Sequence, residues 1–133
     1  MLEPGKEGRV EITVTPNDTA LAYGSGEVDV LSTPRMVALM EQAAVNCVRD
    51  ALPEGMTSVG ISLDIKHLAA TPPGMRAEAT ARLVEVNDRR LVFEVEARDE
   101  RDLIGRGRHE RFIVDARRFL EKARAKRGTP GSI

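Results

Sequence analysis

The stretch that decides the fold is "STPRMVALMEQAAVNCVRDAL", residues 32–52. Wound as a helix, it is apolar on nearly every side. Ser32 or Thr33 can cap its start, Pro34 suits the first turn, and "PEG" at 53–55 ends it. At roughly 100° per residue, Arg35, Gln42, Asn46 and Arg49 fall in one narrow polar stripe. Such a helix is wrapped by a sheet or covered by a partner subunit. Glu41 breaks the pattern. It lies among Val37, Ala44, Val45 and Val48, where a carboxylate is costly unless paired, hydrogen-bonded or protonated.

On either side of this helix the period changes to two. Upstream, residues 8–15 alternate with Val10, Ile12 and Val14 on one face, and residues 16–32 read as a loop with a short helical turn. Downstream, Val59, Ile61, Leu63 and Ile65 mark one strand, and Met75, Ala77, Ala79, Ala81 and Leu83 the next. Leu91, Phe93, Val95 and Ala97 mark a third, and residues 103–114 a fourth, with turns at "NDRR" and "DERD". A helix from residue 115 carries its cations late, where the helix dipole favours them. Residues 1–7 read as a loose terminus and "GTPGSI" as a tail. Strand, long helix and four consecutive strands predict an α+β domain over 1–133, with its core at about 8–120. The four strands read as a meander, hence an antiparallel sheet with the helix on one face.

Composition narrows the function. The 133 residues are 41% hydrophobic and 31% charged with a net charge of −1, which gives no bulk attraction to nucleic acid or anionic lipid. One Tyr, three Phe and no Trp leave little for a base-stacking platform. The single Cys47 forms no internal disulfide or cysteine-based zinc site, reads as core, and suits a reducing cytoplasm. The N-terminus lacks an apolar signal-peptide core, and no run approaches the roughly 20 residues of a membrane span.

Two titratable groups converge on the helix–sheet interface. Glu41 is one. His67 is the other, since it shares the parity of Val59, Ile61, Leu63 and Ile65 and so points toward the helix if the strand is regular. "TPPG" then ends the pairing, because proline donates nothing to a ladder. Gly60 marks a bulge or a close backbone approach. "GRGRHERF" at 105–112 reads as an edge strand guarded by charge, or as arginines for an anion.

"VLSTPRMVALMEQAA", "TSVGISLDIKHLAATPPG" and "LIGRGRHERFIV" together resemble the fluoroacetyl-CoA thioesterase-like branch of the hotdog-fold superfamily. The likeness runs from about Val28 to Phe119, and "HLAATPPG" is its most specific block. The resemblance implies a curved antiparallel sheet around a long central helix. It implies a homodimer or dimer of dimers with acyl-CoA bound near the subunit interface. It carries a catalytic set onto Thr33, Glu41 and His67, and matches Gly60 to a glycine associated with the thioester carbonyl. Glu110 and Arg111 match a family "HER" motif. The family's namesake has a longer, aromatic-rich segment before the helix; here Tyr23 is the segment's one aromatic, which argues against fluoroacetyl-CoA as substrate.

The implied reaction is hydrolysis of a short-chain acyl-CoA to a carboxylate and free CoA, with no metal or bound cofactor. Glu41 would attack the carbonyl or activate water, and His67 would be the acid–base partner. Backbone N–H groups near Gly60 would stabilise the oxyanion. Two other functions fit the fold. Many hotdog hydratases and dehydratases carry Asp and His five residues apart, but Ser62 and Ile104 precede His67 and His109 at that spacing. A non-catalytic acyl-CoA binding or sensing module is the other.

Overall fold

The computed structural model describes residues 2–128. In chain order these form β1 (Glu7–Thr13), α1 (Ala20–Tyr23), α2 (Thr33–Val48), β2 (Met56–His67), β3 (Arg76–Asn87), β4 (Arg90–Asp99), β5 (Leu103–Asp115) and α3 (Ala116–Ala125). One sheet, ordered β1-β3-β4-β5-β2, is antiparallel throughout. The predicted α+β class and long helix are present. Of the terminus expected to be loose over 1–7, Gly5 and Lys6 are held to β3: Gly5 N–H donates to Leu83 O and Leu83 N–H to Lys6 O. The tail beyond Gly128 lies outside the described residues.

The expected four-strand meander is corrected. Only β3, β4 and β5 run as one; β2 pairs with β5, and β1 takes the place beside β3. "TPPG" is the reason. Two prolines cannot continue the ladder, and Gly74, at φ 94°, turns the chain. The crossing is tied down along its length. Leu68 N–H donates to Ile104 O, Leu31 N–H to Thr71 O, and Gly74 N–H to Val14 O. β2 is therefore an edge, and β5, expected at an edge, is internal.

Helix α2 buries Met36, Leu39, Met40, Ala43, Ala44, Cys47 and Val48 against Val14, Leu83, Leu91, Phe93 and Val95. Small residues let it come close. Ala77, Ala79 and Ala81 of β3 are buried beneath it, and a side chain at Gly8 would run into the backbone at Ala43 and Cys47. The other sheet face carries a row of alternating charge across all five strands: Glu7, Arg82, Glu94, Arg108 and Asp64. Arg82 and Glu94 in that row are 2.6 Å apart. One sheet face is thus a core and the other faces water. No helix of the described residues is long and apolar enough to cross a membrane.

Candidate active site

The site grows from both ends of β2. At its C-terminal end, Thr33 Oγ1 lies 2.7 Å from His67 Nδ1. Ser32, not Thr33, caps α2, its Oγ accepting from Arg35 N–H at 3.1 Å. Thr33, the other cap candidate in the sequence, is thereby free to meet the imidazole. His67 Nε2 is enclosed and has no hydrogen-bond partner among the described residues. Burial pushes the His67 pKa below its ordinary value, with the Ala69 backbone acting the other way. Thr33 and His67 line a recess of about 430 Å³, together with Ala20, Val28, Leu31, Leu68 and Ala69. Its other lining residues are equally free of aromatic rings, and Tyr23 stands half exposed away from it.

Toward the other end, Glu41 faces Gly60 and Arg111. Arg111 Nη1 is 3.8 Å from Glu41 Oε2. A Cβ placed on Gly60 would sit 3.0 Å from that oxygen, so the absent side chain is what lets the carboxylate lie on the strand. Glu41 is less buried than its helical position predicts: its side chain is 38% exposed. Val37 and Val45 on the same flank are half-buried too. In a single chain this flank of α2 is open.

Gly60 does mark a bulge, with the register slipping between Gly60 and Ser62. The slip reverses the parity of β2. Leu63, Ile65 and His67 pair with His109, Gly107 and Gly105, on the face shared with buried Arg111 and Ile113. Val59 pairs with Phe112 and points the other way. His67 is inward as expected, but Val59 is not on its face.

Thr33 and His67 are brought together, and so are Glu41, Gly60 and Arg111. The two groups are not joined: among the described residues no hydrogen bond or ion pair links Glu41 to His67. Thr33 and Glu41 are about 12 Å apart along the helix axis, and Gly60 and His67 about 20 Å along the strand.

Ser58 and His109, to which the sequence assigned no site role, complete the second group around Arg111. Arg111 Nε donates to Ser58 Oγ at 2.8 Å and Nη2 to Ser58 O at 2.9 Å. Its Nη1 lies 3.1 Å from His109 Nε2. The available signal was parity, since His109 and Arg111 alternate on one strand face. Cys47 is buried as expected, and burial pushes its thiol pKa up, against reactivity. No three His, Cys, Asp or Glu side chains of the described residues gather as a metal site.

Comparison with known proteins agrees with this architecture. A threonine-to-serine variant of the fluoroacetyl-CoA thioesterase FlK, in complex with acetyl-CoA, matches with a TM-score of 0.89 at 34% identity, over 97% of this chain and 100% of that one. A thioesterase superfamily member of Thermus thermophilus matches with a TM-score of 0.88 at 32% identity, over 96% and 94%. A curated relative, the fluoroacetyl-CoA thioesterase of Streptantibioticus cattleyicolor, is 42% identical over 98 residues, covering 74% of this chain and 70% of that protein. The fold is thus that of the hotdog thioesterases, and the enzyme class is thioester hydrolase. Within that class the chain belongs to the fluoroacetyl-CoA-specific thioesterase family, whose profile matches residues 14–117.

Proposed function

We propose that the protein hydrolyses short-chain acyl-CoA thioesters, with Thr33, Glu41 and His67 as the catalytic set. The observation that carries this reading is the enclosed, unpartnered Nε2 of His67 on the wall of an apolar recess. A buried polar atom without a partner calls for one, and a thioester oxygen or sulfur in the recess would supply it. If Thr33 donates its hydroxyl hydrogen to Nδ1, the neutral imidazole carries its proton on Nε2 and can donate there. Small aliphatic walls suit a short acyl chain.

The arithmetic of the reaction is simple. Glu41 takes a proton from water as the water oxygen attacks the thioester carbon. The tetrahedral intermediate then expels CoA thiolate, steadied by the Nε2–H of neutral His67, and the proton held by Glu41 passes to the sulfur, which returns Glu41 to its carboxylate. The backbone at Gly60, where no side chain intervenes, would receive the oxyanion.

Both halves come from a homodimer joined at β2. Edge strands that stay open are a liability, and β2 is long, with Ile61 52% and Leu63 45% exposed. Antiparallel pairing of β2 with its copy, about a two-fold axis at Asp64 and with the bulge at Ile61 counted, sets Gly60 opposite His67 of the partner subunit. Glu41 and Arg111 of one chain then share a pocket with Thr33 and His67 of the partner subunit. The same contact covers the open flank of α2.

The test is thiol release from a series of straight-chain acyl-CoAs by the native protein and by Glu41→Gln and His67→Ala. The expected result is turnover by the native protein and loss in both variants. Saturable CoA binding without thiol release would make the protein a binding module instead.

A further inference from the structure

We propose that His109 is a positioning residue: a neutral imidazole, protonated on Nδ1, whose bare Nε2 fixes the Arg111 guanidinium beside Glu41. The inference rests on the assignment of Glu41 as the reacting carboxylate.

Hydrogen-bond logic alone sets the tautomer. His109 Nδ1 lies 2.9 Å from Ser62 O. A carbonyl oxygen only accepts, so Nδ1 carries the hydrogen. Nε2 lies 3.1 Å from Arg111 Nη1, and a guanidinium only donates, so Nε2 holds a lone pair. Protonating the ring would set two N–H donors against each other inside the protein. The ring is fully buried and stacks on Phe93, with centroids 6.1 Å apart. Burial and the Arg111 charge both favour the neutral form, against the Ser62 carbonyl and the Glu41 and Glu110 carboxylates.

The arrangement leaves Arg111 little freedom. Ser58 takes Nε–H and one Nη2 hydrogen, and His109 takes one on Nη1. The guanidinium plane is fixed at three nitrogens, with Nη1 the group nearest Glu41. Without the His109 acceptor only Ser58 holds the guanidinium, and its plane can rock as a unit and carry Nη1 toward or away from the carboxylate. His109 touches no reacting atom in this scheme; it acts through Arg111.

Two measurements decide the matter. In ¹⁵N NMR of the native protein, His109 should show a protonated Nδ1 and an unprotonated Nε2 from pH 6 to 8. The Arg111 Nε–H should exchange slowly in the native protein and in His109→Gln, whose amide oxygen can take the place of Nε2, and quickly in His109→Leu. In kinetics, His109→Leu should lower kcat by about 10–100-fold, the scale of one hydrogen bond to a charged group. His109→Gln should restore most of the rate. In an Arg111→Met background, His109→Leu should cost nothing more, because the group it positions is gone.

A proton on Nε2, or an unchanged Arg111 Nε–H in His109→Leu, overturns the proposal. So does an equal loss with and without Arg111, which would mean a packing role only. If the native protein releases no thiol from any acyl-CoA, the hydrolase reading of the site fails. The NMR measurement still decides whether His109 holds Arg111.

Discussion

Thr33 and His67 meet at 2.7 Å although 34 positions separate them in the chain. Their contact exists because Ser32, one residue earlier, caps α2. Adjacent hydroxyls thus have different work, and substitution should separate them. Thr33→Val should lower kcat by about 2–10-fold, the scale of one neutral hydrogen bond, with the melting temperature unchanged. Thr33→Ser should keep most of the rate. Ser32→Ala should cost about 1 kcal/mol of stability, as for other N-caps, and leave kcat alone. Parallel steady-state kinetics and urea melts of the three variants check this. Loss of kcat in Ser32→Ala equal to that in Thr33→Val would remove the distinction.

If the site is composite, Glu41→Gln and His67→Ala should complement each other. Either variant alone should lose about 10²–10⁴ in kcat, the usual yield of a positioned acid or base. A mixed dimer holds one site with both native groups and one with neither. Unfolding an equimolar mixture and refolding it should restore about a quarter of native activity if the subunits assort freely in a two-fold dimer. If each chain carries its own complete site, mixing restores nothing.

What could be read from sequence follows from how local its cause is. The burial of α2 was legible because Met36, Leu39, Met40, Ala43 and Cys47 repeat on a helical period, and that pattern is written within one element. The inward direction of His67 was legible from parity, although Val59 was assigned to the wrong face. One bulged residue between Gly60 and Ser62 flips every side chain before it. Strand order was not legible. Alternation gives a strand its faces, not its neighbours, so β2 could not be seen to join β5 rather than β3. The charges in "GRGRHERF" looked like edge protection. On internal β5, Arg108 takes part in the cross-sheet row, while His109 and Arg111 turn inward to Glu41. That second role depends on a helix more than sixty positions away.

Gly60 and Gly8 offer opposite tests of close approach. A Cβ at Gly60 meets side-chain atoms: Glu41 Oε2 at 3.0 Å, His109 Cε1 at 3.3 Å and Arg111 Nη1 at 3.5 Å. These can shift by a few tenths of an ångström, so Gly60→Ala should leave a folded protein with a displaced carboxylate and a kcat reduced by about 10-fold or more. At Gly8 the obstacle is the α2 backbone itself. Gly8→Ala should cost about 3 kcal/mol or more, at the upper end of overpacking penalties. Denaturant titration and thiol release measured on both variants test the contrast. A stable Gly8→Ala would show that β1 and α2 can separate without loss.

The two histidines also give stability a characteristic pH profile. Burial lowers both pKa values from 6.5, so the folded state prefers each ring neutral. The unfolded chain protonates them near 6.5. As pH falls below that value the unfolded state binds more protons, and stability declines until the folded-state values are passed. Full stability is therefore present above about pH 6.5, and each proton contributes a slope of at most about 1.4 kcal/mol per pH unit below it. The larger share should come from His109, which is fully buried, whereas His67 is only partly so. Asp18 and Asp99 have pKa values held below 3.8, by backbone hydrogen bonds and by Thr15, Arg35 and Thr71 acting against desolvation. They add a separate loss below about pH 4. Urea melts from pH 8 to 5 should show a plateau and then a fall. In His109→Gln the fall should be shallower, because that ring no longer takes up a proton on unfolding. An equally steep fall in this variant would mean that His109 is already protonated in the folded protein, in conflict with its contact to Arg111.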